Sequence, residues 1–337
     1  MSGSQVDGGV NLIVDRQRLE NNPSGVLDEA WVRLFSGNLL FEAGRLRQTW
    51  GRADVQGPLD VINPLDLTDL RENDLQRRKQ AVDQLRLALD FGERSRIESI
   101  FLPTFVPMQI ATTGDWVPQE VLAIDGLAIP GITWSGLWNV ALADMTGVGS
   151  FQGGVRYTSG AGSLDFGAQY WYGFLPRPAV VYTPPVAFDM TWNRFHQLGI
   201  DMATAAIGLN IRAELGINLT EDFAGDDAQV YNSALVFALG ADRPLPAGFD
   251  INLQISGSQR INHSGITSEL DIEYDTDALE LLVAGALSQS FRRDTISWEL
   301  AYIWEPIVGD WVIMPKLAVG IGDAEVQLIG GILGGEE

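Results

Sequence analysis

The chain has 337 residues, room for two ordinary domains or for one large β domain. Its 22 Lys+Arg stand against 44 Asp+Glu, a formal net charge of −22, so the basic surface that nucleic acid requires is missing. With no cysteine, a disulfide framework and thiolate-ligated metal are excluded.

Hydrophobic residues make up 46% of the chain, yet no window holds 18 uninterrupted apolar residues, so a membrane-spanning helix is not expected. The start, MSGSQVDGG, lacks a basic stretch followed by an apolar one. On this reading the chain either stays in the cytoplasm or has lost a leader.

Alternation of apolar and polar residues dominates from the first hairpin on. Strands are expected near 10–19, 28–36, 39–47, 84–91, 95–102, 150–158, 162–172, 190–202, 206–219, 228–241, 249–262, 278–291, 295–305, 310–322 and 325–334. In 249–262, Phe249, Ile251, Leu253, Ile255 and Ile261 share one face, and Asp250, Asn252, Gln254 and Arg260 share the other. In 207–219, Leu209, Ile211, Leu215 and Ile217 oppose Asn210, Arg212, Glu214 and Asn218. Such strands are longer than the roughly 5–6 residues of globular sheets and match the roughly 9–11 needed to span a bilayer.

Between 48 and 83 lies Trp50–Asp69, WGRADVQGPLDVINPLDLTD, too rich in Gly, Pro, Asp and Asn for a strand or helix interior. Residues 72–83 are expected to form a short polar helix. The segment 119–147 is apolar, Gly-rich and Trp-bearing, with Pro130 as a breaker. It reads either as an inward-folded loop or helix pair in a mouth, or as a loop packed over a rim.

Connections alternate in length. Gly37-Asn38, 92–94, 159–161, 203–205 and 292–294 are short, whereas 48–83, 103–149, 173–189, 220–227 and 263–277 are long. Tight turns on one side and long loops on the other indicate an all-β, antiparallel transmembrane barrel of about 14–16 strands in one domain, with short periplasmic turns and long external loops. The polar faces would line a lumen, with Arg86, Asp90, Asp165, Arg212, Glu214, Asp250, Arg260 and Glu299 as candidates. Trp31, Trp171, Trp192, Trp298, Trp304 and Trp311 are candidates for interfacial girdles. Two other readings stay open: an anchoring barrel with a plugged lumen, and a soluble extracellular β-sandwich that binds a ligand.

The residues TWGRADVQGPLDVINPLDLTDL resemble the signature loop of the Gram-negative outer-membrane β-barrels called domain of unknown function 1302. The match rests on Trp50, Gly51, Asp54, Asp60, Asn63, Pro64 and Asp66. LDEAWVRLFSGNLLFEAGRLRQ, IESIFLPTFVP, GGVRYTSGAGSLDFGAQYWYGFLPRP and NRFHQLGIDMATAAIGLNIRAELG are similar to later segments in the expected order, covering 28–335. The resemblance implies an outer-membrane location and passage of a small solute, hydrophobic or lipid-like in character. Membrane lipid and an envelope protein would then be its partners. Two departures stand out: the family carries further strand-forming sequence before the first hairpin, and it closes on a C-terminal aromatic that the end LIGGILGGEE lacks. The expected strands number an odd fifteen against the even counts of bacterial barrels, so either one strand is miscounted or a closing strand at one terminus is missing.

Catalytic signatures are not found. His196 and His263 are far apart, no nucleophile elbow or P-loop occurs, and the Gly-rich runs do not open a helix. No enzyme activity, cofactor or metal centre is expected. Asp54, Asp60, Asp66 and Asp69 could hold Ca²⁺ through oxygen ligands, but Asx-turn capping within a loop at the barrel mouth is favoured. Leu127, Ile129, Trp134 and Trp138 are the candidates for an apolar gate.

Overall fold

A computed structural model describes residues 5–14, 26–55, 57–68, 75–114, 116–185, 187–292, 295–322 and 324–335. The main sheet follows chain order through β1 (Gln5–Leu12), β2 (Leu27–Ser36), β3 (Leu39–Leu46), β5 (Val82–Phe91), β6 (Ser95–Leu102), β8 (Gln152–Ala161), β9 (Leu164–Phe174), β12 (Arg194–Ala206), β13 (Leu209–Thr220), β14 (Ala234–Leu245), β15 (Phe249–Arg260), β16 (Leu279–Phe291), β17 (Ile296–Trp304), β18 (Trp311–Ile321) and β19 (Ala324–Ile329). β20 (Ile332–Gly334) continues the edge begun by β19, because both pair with β18. Every neighbouring pair in this sheet is antiparallel.

Turns alternate as the sequence indicates. Residues 37–38, 162–163, 207–208 and 246–248 close one end, while 47–81, 103–151, 175–193, 221–233 and 261–278 connect strands at the other. The fifteen expected strands match this sheet, with corrections at their ends. The first is β1 at Gln5–Leu12; of the expected 10–19, residues 15–19 lie outside the described residues, as do 72–74 of the expected helix. The turn expected at Ala203–Ala205 falls at Ile207-Gly208, with φ of 51° and 75°, which suits the primed turns that match strand twist. The expected strand over 228–241 starts instead at Ala234, because Asp222 folds 221–233 into a loop by accepting from the N–H groups of Gly225, Asp226 and Asp227.

The faces are inverted relative to a water-soluble sandwich. Alternate residues of each strand point to opposite sides, and here the apolar side is the exposed one. Ile251, Leu253 and Ile255 are 41, 48 and 37% exposed, whereas Gln254, Ser256 and Arg260 of the same strand are buried. Likewise Leu198 and Ile200 are exposed and Gln197 and Asp201 buried. Outward aromatics lie six residues apart along three strands: Phe151, just ahead of β8, and Tyr157, then Phe166 and Tyr172, and Trp298 and Trp304. At about 3.3 Å per residue this separates two rings by about 20 Å along the strands, comparable to the girdles bordering a membrane barrel's apolar band. Trp298, Trp304 and Trp311 sit in these rings. Trp31 and Trp171 do not, because their strand parity points them inward, and Trp192 is buried among the long loops.

The sheet curls around the 47–68 loop, which touches Glu98 on β6 and Gln254 on β15 at once. β1 and β19 both run toward the long-loop end, so direct pairing between them would be parallel; among the described residues no ladder joins them.

Beyond the sheet lie α1 (Leu75–Arg78), a two-residue parallel contact between β4 (Asp66–Leu67) and β7 (Gln109–Ile110), α2 (Gln119–Gly126), α3 (Trp134–Asp144), and a hairpin of β10 (Ala179–Thr183) and β11 (Ala187–Thr191). That hairpin was not expected from the sequence. No described helix is long and apolar enough to cross a membrane.

Candidate functional site: a loop-filled lumen

The described part of the Trp50–Asp69 stretch, 50–55 and 57–68, does not remain at the mouth. It descends into the barrel and fastens to the far wall. An irregular loop carries backbone N–H groups that must be satisfied wherever water is excluded, and here wall side chains satisfy them. Glu214 Oε1 accepts from the N–H of Arg52 and of Ala53 (2.7 Å), and Oε2 from that of Leu59 (3.2 Å). Gln254 Oε1 accepts from the N–H of Asp54 (2.9 Å) and Val55 (3.2 Å). Gln169 and Gln197 donate to the carbonyls of Leu59 (2.7 Å) and Pro58 (2.9 Å).

Charges repeat the arrangement. Arg52 Nε donates to Asp201 Oδ1 at 2.6 Å, and Arg156 pairs with the second oxygen at 2.7 Å. Asp54 accepts from Arg212 and from Asn252 Nδ2 (2.8 Å). Leu59 is fully buried over Gly199 and Gly216, where an added Cβ would come within 2.5 and 2.7 Å of its Cδ2. At the loop's root the Trp50 indole donates to Glu98 (2.7 Å) and packs edge-on to Trp171, with centroids 5.8 Å apart. Ile62, Val82, Ile100, Leu102 and Phe195 close this cluster.

Other motif residues act within the loop. Asn63 accepts from the Gln48 N–H (2.8 Å) and donates to the carbonyls of Leu46 (3.2 Å) and Gln80 (2.6 Å), clamping both ends of the excursion. Pro64 leaves its carbonyl to the Gln80 N–H (2.8 Å). Asp66 caps Thr68 through N–H (3.0 Å) and hydroxyl (2.6 Å) bonds. Asp60 pairs with the buried Lys79; burial pushes its carboxyl up to about 6, against the downward pull of the Lys79 ammonium. Asp54, Asp60 and Asp66 thus turn to three separate partners and are not gathered as a calcium cage, and Asp69 lies outside the described residues.

The loop leaves one side of the lumen open. A cavity of about 500 Å³ lies between its tip and the β13–β18 wall, lined by the charged Asp54, Arg78, Arg212, Asp242, Asp250 and Glu299 and by the apolar Ala284, Ala286, Ala301, Ile303 and Met314. The structure therefore brings four of the eight lumen candidates together at the loop: Arg212, Glu214, Asp250 and Glu299. Arg86 lies inward on the other side, bridging Glu42 and Glu98. Asp90 and Asp165 are exposed at the short-turn end, paired with Arg96 and with Arg94 (2.7 Å). Arg260 is a buried clasp to Glu273 (2.7 Å) and Glu280 (2.6 Å) under the long loops, not part of an open wall. Asp201, Gln169, Gln197 and Gln254 were missed as site residues. Their parity with Arg212 and Asp165 on alternating strands was the available signal.

Above the lumen the 119–147 segment packs over the long-loop rim. Thr133 caps α3 by accepting from the Gly136 N–H (3.1 Å), and Asp125 accepts from that of Trp134 (2.7 Å). Trp134 is buried with Phe105, Val121, Ile124, Phe174, Met190 and Trp192, and Trp138 meets Trp192 edge-on at 5.3 Å. Of the gate candidates, only these two tryptophans join a common cavity, a pocket of about 420 Å³ with Phe105, Val106, Ile110 and Leu142. Leu127 is exposed and Ile129 half-buried outside it.

No family model matches the chain, and no curated protein sequence matches it. Solved structures similar to it include the outer membrane channel DcaP of Acinetobacter baumannii (12% identity, 99% of this chain and 82% of that one, TM-score 0.47). Others are an anion-selective porin from Comamonas acidovorans (10%, 94% and 81%, 0.46) and OmpT, an outer membrane protein of Vibrio cholerae (10%, 91% and 79%, 0.45). On its own ladder, outward apolar band and polar interior, the chain is an antiparallel β-barrel of the outer-membrane type.

Proposed function

We propose that the chain is an outer-membrane channel whose aqueous path is narrowed by the inward-folded loop. The carrying observation is the cavity of about 500 Å³ between the loop tip at Asp54 and Val55 and the inward residues of β13–β18. Barrels of comparable strand number enclose an aqueous lumen. The mouth favours cations: of the connections at the long-loop end, 221–233, 261–278 and 305–310 carry Glu221, Asp226, Asp227, Glu269, Asp271, Asp275, Asp277, Glu305 and Asp310 without a Lys or Arg, while the basic residues of 47–81 turn mostly into the lumen loop's own pairs, such as Arg47 with Asp28, Arg52 with Asp201 and Lys79 with Asp60. A mouth lined by one sign of charge concentrates the opposite ion. The resemblance of the loop to domain of unknown function 1302 supports the same assignment to solute passage.

Planar-bilayer recording tests this. Small steps are expected, with a reversal potential in a KCl gradient on the potassium side. Absence of steps from inserted protein would replace the channel by an anchoring barrel with a filled lumen, and clean monomeric behaviour without detergent would remove the membrane reading altogether.

A second reading rests on the apolar pocket at Trp134 and Trp138. It offers a hydrophobic solute a first resting place above the lumen, with Gln109, Thr112 and Asn139 as its polar rim.

A further inference from the structure

The outward surface of β9, β12 and β13 carries a feature that solute passage does not use. Arg194 and His196 are the only basic side chains among its outward residues; the rest are aliphatic, aromatic, Met202 or Thr204. A charge on a lipid-facing side costs several kcal/mol at mid-membrane and about 0–1 near an interface, so the height of these two is informative. Both sit at the long-loop end of β12, level with Tyr172 of the upper aromatic ring.

The local geometry is built around them. The Arg194 guanidinium lies over Tyr172 (4.7 Å) and Phe174 (4.0 Å), and it donates to the carbonyls of Phe151 (3.2 Å) and Gly149. A guanidinium has five N–H donors, more than these two carbonyls use. His196 stacks on Tyr172, with centroids 4.7 Å apart, and its Nδ1 lies 2.7 Å from the Tyr170 hydroxyl. The Tyr170 contact engages Nδ1 and leaves Nε2 of the exposed ring outside it.

Directly below, toward the middle of the apolar band, these strands and Leu235 of neighbouring β14 form a hollow of about 400 Å³, lined also by Ala168, Leu198, Ile200, Leu215 and Ile217. Its floor is the backbone at Gly199 and Gly216, on whose lumenal side Leu59 sits.

We propose that this face holds one phosphorylated glycolipid of the outer leaflet, of the lipid A type. Its phosphate meets Arg194 and His196, and an acyl chain lies in the hollow. Donors above and a greasy groove below reproduce the polarity of a lipid whose head lies at the long-loop side, and that side is external in such barrels. Basic groups at a membrane interface recognise lipid phosphate by charge and hydrogen bonding. The inference rests on the outer-membrane reading but not on conduction.

Native mass spectrometry of the detergent-solubilised barrel, with lipid A as the probe, tests it. A one-to-one adduct is expected, retained roughly tenfold less by the Arg194→Ala/His196→Ala protein, as loss of charge-assisted hydrogen bonds implies. Ala168→Phe, which fills the hollow and leaves the head cluster intact, should weaken the adduct as well. Equal retention by the double variant, by lipid A stripped of its phosphates, or by phosphatidylglycerol would overturn the proposal. Heat-dependent gel mobility reports whether each variant is folded. Detergent-independent monomers would instead sink the membrane reading, a result separate from loss of the adduct.

Discussion

Gly51 lies against Glu214 with no room for a side chain between them. Its φ is +86°, and a Cβ there would collide with the Glu214 carboxylate, which reaches past it to the N–H groups of Arg52 and Ala53. Two independent demands, a left-handed backbone and a close approach, therefore select glycine. Gly51→Ala violates both, and backbone strain of this kind costs about 1–3 kcal/mol. The barrel wall is expected to fold unchanged while the loop loosens, seen as larger and noisier conductance steps. Steps identical to those of the unaltered protein would show that Glu214 does not hold the loop in place.

Asp60 and Lys79 join the loop to the segment that leads into β5. With its carboxyl raised to about 6, Asp60 binds its proton more tightly folded than unfolded, where the ordinary value is 3.8. The folded state therefore gains from this group below about pH 4 and loses that gain as pH rises through 6. Asp60→Asn should remove this contribution. Calorimetry in detergent is expected to show a thermal midpoint that falls between pH 4 and pH 7 in the unaltered protein by more than in the variant. Parallel profiles would contradict the assignment.

Much of this barrel is legible in its sequence because a strand repeats every two residues. Ile251, Leu253 and Ile255 declare one face and Gln254 and Arg260 the other without reference to anything distant. The loop's destination is not legible in that way. Its anchors are Asp201, Glu214 and Gln254, and nothing local to 50–60 says which distant polar side chains will meet its N–H groups. The turn at Ile207-Gly208 was misplaced because a β-branched residue at positive φ is rare, and three alanines nearby offered a blander site. Trp171 was misassigned to a girdle by residue type, although its parity with Gln169 points inward.

The outward face can be tested directly. Leu253 lies near the middle of β15 and is 48% exposed. In a bilayer, Leu253→Arg should destabilise the barrel by about 2–4 kcal/mol. On a water-facing sheet the same change would be close to neutral, within about 0.5 kcal/mol. Urea titration in lipid vesicles, compared with that of the unaltered protein, separates the two, and a neutral result would favour the soluble sandwich.

The last expectation concerns Trp138 and Trp192. Trp138 does two things: it packs edge-on against Trp192 at 5.3 Å and it lines the apolar pocket of about 420 Å³. Trp134 is buried beneath and carries more of the packing. Trp138→Ala should therefore open the pocket while α3 stays in place, because Thr133 and Asp125 still cap it. Trp134→Ala removes a buried indole and should cost the loop assembly about 3–5 kcal/mol. If the pocket receives hydrophobic solutes, Trp138→Ala will reduce their uptake into liposomes and leave potassium conductance intact. Leu127→Ser, at an exposed position outside the pocket, will leave both unchanged. Equal uptake by all three proteins would remove the hydrophobic-solute reading and keep the aqueous one, since the charged cavity beside Arg212 and Glu299 does not depend on the tryptophans.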